Sequence, residues 1–184
     1  MKRLLSSIVA STLLIACNNE KKADENKTDE KKETAASISY PYTPSYSADF
    51  SIGDPSHSKM VLDLYKMWED GKIDDMRSFL SDSVFIDGTD GMKFNNTADS
   101  FVNFAKQMRA MYKTTRPAFD TWMPVHHKES NEDYVLVWSR DYSTTTDGKM
   151  DSLRVHAYFQ IKNNKVRGWS EFQQKLTPPP PAKK

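Results

Sequence analysis

The chain has 184 residues, 38% hydrophobic and 28% charged, with 26 Lys and Arg against 25 Asp and Glu for a formal charge of +1. That length holds one domain with a true core once the chain ends are set aside. Acids and bases are interspersed, so no basic face stands out for a phosphate backbone, which argues against a nucleic-acid partner. Nine methionines suit core filling or an adaptable apolar cavity.

The first residues, MKRLLSSIVASTLLIAC, combine a basic start at Lys2 and Arg3, an apolar run from Leu4 to Ile15, and Ala16 before the single cysteine. They read as a secretory signal too short for a stable membrane span. Leu14-Ile15-Ala16-Cys17 resembles the bacterial lipobox. The resemblance implies a lipid anchor on Cys17, a mature chain that starts there, and residence at a bacterial envelope. A domain beyond Cys17 then carries no thiol, which leaves it neither disulfides nor cysteine catalysis. Residues 18–36 hold no aromatic or branched aliphatic side chain and predict a flexible tether. Tyr40, Tyr42, Tyr46 and Phe50, set among prolines up to residue 55, predict an extended arm lying against the domain.

Regular structure is expected over residues 56–176. Ser56 or Ser58 can cap a helix in which Val61, Leu64, Tyr65 and Trp68 form one apolar stripe, ended by Gly71. Asp74 can cap a short second helix carrying Met76, Phe79 and Leu80, after which residues 83–87 read as a strand stopped by Gly88 and Gly91. Asn96 or Thr97 caps a third helix with Phe101, Phe104, Ala105, Met108, Met111 and Tyr112 on one face. Residues 119–127 alternate as a strand in which Pro124 asks for an edge or a bulge. Residues 134–144 are apolar on both faces around Trp138 and belong near the sheet centre, with a turn at Asp147-Gly148.

The strongest element is 152–176. Leu153, Val155, Ala157, Phe159 and Ile161 alternate with Arg154, His156, Tyr158 and Gln160, and Asn163-Asn164 suits a two-residue type I′ turn into the last strand. From residue 177 a proline run reads as a spacer. The pattern predicts an α+β fold in which about three helices cover the concave face of a curved antiparallel sheet.

LDLYKMWEDGKIDDMRSFLSDSVFIDGTDG, then a helix, then VHAYFQIKNNKVRGWSEFQQKL, resemble in order and spacing the SnoaL-like branch of the cone-shaped nuclear transport factor 2 superfamily over residues 56–176. The resemblance implies a cone-like sheet with a pocket between its concave face and the helices, and a homodimer joined through the sheets. Trp169 matches a tryptophan of the polyketide cyclases, but Gln173 stands where their aspartate base belongs, and an amide takes no proton at neutral pH. Asp87 matches the base of the similar steroid isomerases, and Tyr65 lies within one residue of their tyrosine. Ala157 replaces their second acid, which removes half of the oxyanion-stabilising pair. Asp87 is therefore the candidate catalytic base, with a solvated turn position beside Gly88 as the alternative.

The histidines, His57, His126, His127 and His156, show no metal-ligand spacing, so neither a metal nor a cofactor is expected. Scytalone dehydratase, a lyase of similar fold, uses pocket histidines, which keeps a dehydratase-like role for His127 open. The expected ligand pocket draws on Tyr65, Trp68, Trp138, Val155, Ala157, Phe159 and Trp169, with Arg167 and Glu171, in Trp169's phase, as polar contacts. The reading is an envelope lipoprotein that binds a small apolar or aromatic molecule without catalysis. Its competitors are a lyase or isomerase working through Asp87, and an interaction module acting through its sheet face.

Overall fold

A computed structural model describes residues 39–176. The elements below belong to the unit that begins at Tyr42. The signal, Cys17, the tether and the proline tail lie outside the described residues.

Strand β1 (Phe50–Ile52) precedes helix α1 (Pro55–Asp70). The helix is capped by Asp54, one turn earlier than Ser58: its carboxylate accepts the Ser56 N–H at 2.8 Å, and Pro55 fills the first helical position, where no N–H is needed. Gly71 ends α1 at φ 72°, a left-handed conformation that favours glycine. The short second helix is a 3-10 segment, Ile73–Phe79. Strand β2 (Leu80–Asp87), a 3-10 turn at Thr89–Gly91 and strand β3 (Lys93–Thr97) lead to helix α2 (Ala98–Ala110). The Thr97 hydroxyl caps α2 by accepting the Ser100 N–H at 3.2 Å. Four long strands follow: β4 (Tyr112–His127), β5 (Glu132–Thr145), β6 (Met150–Lys162) and β7 (Lys165–Lys175).

They form one seven-stranded sheet in the order β1-β4-β5-β6-β7-β2-β3. Every pairing is antiparallel except β2 with β7, so the sheet is mixed where an all-antiparallel one was expected. A hairpin forces neighbouring strands to run in opposite directions; β2 and β7 are joined only through β3, α2 and three further strands, so no such constraint applies. Strands β1 and β3 were not foreseen, because each is short and mostly exposed and so carries little apolar alternation. Asn163 and Asn164 take φ of 51° and 54°, as the β6–β7 turn requires. Pro124 offers its carbonyl to the Gly53 N–H at 3.0 Å. Its nitrogen therefore faces the β1 side, and the β4–β5 ladder loses no bond.

The core lies between one face of the sheet and the helices. Val135, Val137, Val155, Ala157, Phe159 and Ile161 pack against Val61 and Leu64 of α1 and Phe101, Val102 and Ala105 of α2. Each large side chain so buried contributes about 1.5–3 kcal/mol. Where β7 crosses β2 the backbones approach so closely that a Cβ on Gly168 would stand 2.3 Å from the Phe85 carbonyl oxygen. A register shift between Gln160 and Ile161 leaves one extra residue in β7: Gln160 pairs with Gly168 but Ile161 pairs with Val166. Arg109 of α2 fastens the helices by donating to the carbonyls of Trp68 (2.8 Å), Glu69 (3.1 Å) and Tyr112 (2.8 Å), which joins the end of α1 to the start of β4.

Candidate functional site

A cavity of about 340 Å³ opens between the helices and the inner sheet face. Helix α1 supplies Tyr65 and Trp68, three residues apart on one stripe, and α2 supplies Phe101, Phe104 and Met108. The rings lock together: Phe101 meets Trp169 edge-on at 5.3 Å, Trp169 stacks on Phe159 at 5.5 Å, and Phe159 meets Tyr65 edge-on at 5.8 Å. Such contacts between neighbouring rings fix the wall more firmly than area burial alone.

The polar part of the lining holds two carboxyls, Asp141 of β5 and Glu171 of β7. Asp141 follows Val135, Val137 and Ser139 in the inward phase, and its Oδ1 accepts the buried Ser139 hydroxyl at 2.8 Å. Glu171 accepts the side-chain amide of Gln173. Burial pushes the Asp141 carboxyl above the usual range, with the Ser139 bond opposing. Burial also pushes Glu171 up, against its bond from Gln173, and the negative charge of Asp141 adds to the rise. Tyr65 is raised well above its ordinary value by burial, then by Glu171 and Asp141. Among the described residues no cation lowers either carboxyl. Arg116, the only lysine or arginine among the described residues of the lining, lies over the Tyr142 ring, 5.1 Å from its centroid. Thr115 also borders the cavity, and its buried hydroxyl has no hydrogen-bond partner among the described residues.

Of the residues expected in a pocket, Tyr65, Trp68, Phe159, Trp169 and Glu171 line this cavity, and four do not. Val155 and Ala157 share the inward phase but are packed in the core, 2% and 0% exposed. Trp138 lies on the opposite, outer face, stacked on His156 at 4.7 Å, because the inward phase of β5 belongs to Val137 and Ser139. Arg167 is itself the extra residue of β7, left unpaired between Val166 and Gly168, which breaks the alternation that tied it to Trp169. It donates instead to the Ser83 carbonyl at 3.0 Å and borders an open surface cleft of about 900 Å³. That cleft mixes Asp74, Asp75 and Asp82 with Arg77, Lys162 and Lys165.

Asp87, the candidate base, is exposed and sits 3.0 Å from the Lys93 ammonium across the β2–β3 pairing. Its neighbour Ile86 takes the inward phase and lines the cavity, which turns Asp87 away from it. His127 also stands outside the cavity, on the outer face. Its Nε2 is 2.9 Å from the Ser47 carbonyl and its Nδ1 is 2.6 Å from the Ser130 hydroxyl. Beside it, Glu132 accepts bonds from Ser130 (2.9 Å), Tyr134 (2.8 Å) and Gln160 (2.9 Å). Those donors, Tyr134 foremost, hold the Glu132 carboxyl below its usual range. Burial and the bond to Glu132 push the Tyr134 phenol far up. Among the described residues no group of three or more His, Cys, Asp or Glu is placed to hold a metal ion.

Asp141 escaped the sequence-based expectation. Its signal was there: Ser139 and Asp141 interrupt an apolar phase begun by Val135 and Val137, and polar residues on a buried face mark a site.

No protein-family model matches the sequence, and no curated protein matches it. Solved structures do. An LEH-like epoxide hydrolase of M. tuberculosis is 9% identical, with a TM-score of 0.55 over 65% of this chain and 84% of that one. An NTF2-like protein of unknown function from Exiguobacterium sp. is 12% identical, with a TM-score of 0.52 over 62% of this chain and 98% of that one. A Jannaschia sp. protein described as SnoaL-like is 14% identical, with a TM-score of 0.55 over 69% of this chain and 91% of that one. At such identities the likeness shows the fold: it is the NTF2-like, SnoaL-like α+β fold.

Proposed function

We propose that this chain is a small-molecule-binding protein of a bacterial envelope, anchored by a lipid on Cys17, whose cavity takes a largely apolar ligand carrying one polar group. The observation that carries the reading is the cavity itself, walled by Tyr65, Trp68, Phe159 and Trp169 and bordered by two carboxyls without ion-pair partners among the described residues. Apolar walls supply affinity and a few convergent polar groups supply orientation. Quenching of tryptophan fluorescence on titration with apolar aromatic compounds tests this. Saturable quenching that Trp169→Phe reduces supports it, and an absence of saturable binding across such compounds overturns it. Cys17→Ser tests the anchor, since a wild-type mature mass without lipid would dismiss it. Association of two copies through the outer sheet face belongs to the same proposal, supported by Phe172, which is 62% exposed there. Sedimentation of wild type against Phe172→Glu decides it.

A second reading, proton-transfer catalysis, now rests on Asp141 and Glu171 rather than Asp87. Both carboxyls are raised by burial, which moves an acid toward the range where it can give and take a proton near neutral pH. Turnover of an epoxide or an enolisable ketone, abolished in Asp141→Asn, would establish it.

A further inference from the structure

From the unpaired carboxyls and the ring wall around them, we propose that the cavity is built for an organic cation: an ammonium group on a compact apolar or aromatic body. The inference rests on the small-molecule reading above and narrows it to a ligand class.

Asp141 and Glu171 are partly buried at the cavity lining, and their only side-chain hydrogen bonds among the described residues come from uncharged donors, Ser139 and Gln173. A buried carboxylate without a counter-charge is unfavourable, and a second one nearby makes it more so. Within the described lining Arg116 is the one positive charge, and its guanidinium is engaged with the Tyr142 ring. A ligand that brings its own positive charge relieves both carboxyls at once. The adjoining wall suits the same ligand, because Tyr65, Trp68, Phe159 and Trp169 are π-rich side chains of the kind that accompany bound cations and pack the hydrocarbon part of such a molecule. Thr115, whose buried hydroxyl lacks a partner, adds an acceptor at the border of the same space. An anionic ligand would meet two acids, and a neutral one would leave the acids unrelieved.

Protons compete with such a ligand for the two carboxyls. The other titratable or charged groups in the lining are Tyr65 of α1, Tyr112 and Arg116 of β4 and Tyr142 of β5; α2, β2 and β6 contribute none among the described residues. Affinity for a cation therefore rises with pH through the range in which the two raised carboxyls ionise.

The experiment titrates the full chain by calorimetry with benzyltrimethylammonium, whose charge does not change with pH, and with its uncharged isostere neopentylbenzene. The cation is expected to bind about tenfold or more tightly than the isostere at pH 8, to weaken as pH falls through the range in which the carboxyls take up protons, and to release protons to the buffer on binding in that range. Asp141→Asn with Glu171→Gln should erase the advantage, and proton release by the wild type provides the same test without any variant. Equal or tighter binding of the isostere, or a cation affinity indifferent to pH and to the two substitutions, overturns the cation assignment and leaves the cavity reading standing. Failure of both compounds to bind overturns the cation assignment and counts against the cavity reading as well.

Discussion

Glu132 and Glu171 are the same residue on opposite faces of one sheet, and their surroundings drive them in opposite directions. On the outer face Glu132 accepts three hydrogen bonds, from Ser130, Tyr134 and Gln160, and its carboxyl is held low. On the inner face Glu171 has a single neutral donor, Gln173, and burial holds its carboxyl high. The first is a structural acid, satisfied within the fold. The second has fewer partners within the fold, and on the proposed reading that difference separates a network that stabilises the sheet from one that a ligand would complete.

Four substitutions put this contrast under strain. The strongest is Gly168→Ala, which strikes the strand that both faces share. Its Cβ would stand 2.3 Å from the Phe85 carbonyl oxygen, so chemical denaturation should show a loss of about 3 kcal/mol or more. A loss below about 1 kcal/mol would mean that β2 and β7 part easily. Phe159→Ala affects the inner face alone. The side chain is 5% exposed, and removing it should cost about 3–5 kcal/mol while enlarging the cavity; a mild effect would place Phe159 at the rim.

Glu132→Gln tests the outer network and should cost about 1–2 kcal/mol near pH 7. A carboxyl whose folded pKa lies below its unfolded value stabilises the protein above the unfolded value, about 4.3, and that contribution fades as pH falls through the folded pKa. The gap between Glu132→Gln and wild type should thus close in acid. Asp141→Asn, with the smallest effect, should show the reverse. A carboxyl raised in the fold contributes stability below its unfolded pKa, about 3.9, and loses it as pH rises through the folded one. Melting temperatures from pH 4 to 8 should therefore move in favour of the Asn variant as pH rises. A constant difference between the two proteins would show that the Asp141 carboxyl is not raised.

Local chemistry was legible in the sequence wherever one stretch decided the outcome alone. Asn163-Asn164 made its turn, Thr97 capped α2, and the apolar phase of β6 placed Phe159 against Tyr65. What failed depended on partners distant along the chain. The parallel contact of β2 with β7 spans about half the sequence, and nothing near residue 80 announces it. The extra residue in β7 is Arg167 itself, out of phase with Trp169, and period-two alternation cannot show such a shift. Trp138 was drawn into the expected pocket because its strand is apolar on both sides, so size outweighed phase. Analogy of position points to Asp87, but Ile86 holds the inward phase beside it.

The three carbonyl contacts of Arg109 bear on how a ligand would come and go. Two of them, to Trp68 and Tyr112, pin the backbone of residues that line the cavity, so part of its wall is held by fixed main chain. Inside that frame Met76, Met92 and Met108 are pliant, unbranched side chains. On the proposed reading the cavity can adapt to a ligand by rotamer changes, which take nanoseconds, without separation of helices, which takes microseconds to milliseconds. Arg109→Ala removes all three bonds and should loosen that frame, which faster amide hydrogen exchange in the last turn of α1 and at the start of β4 would register.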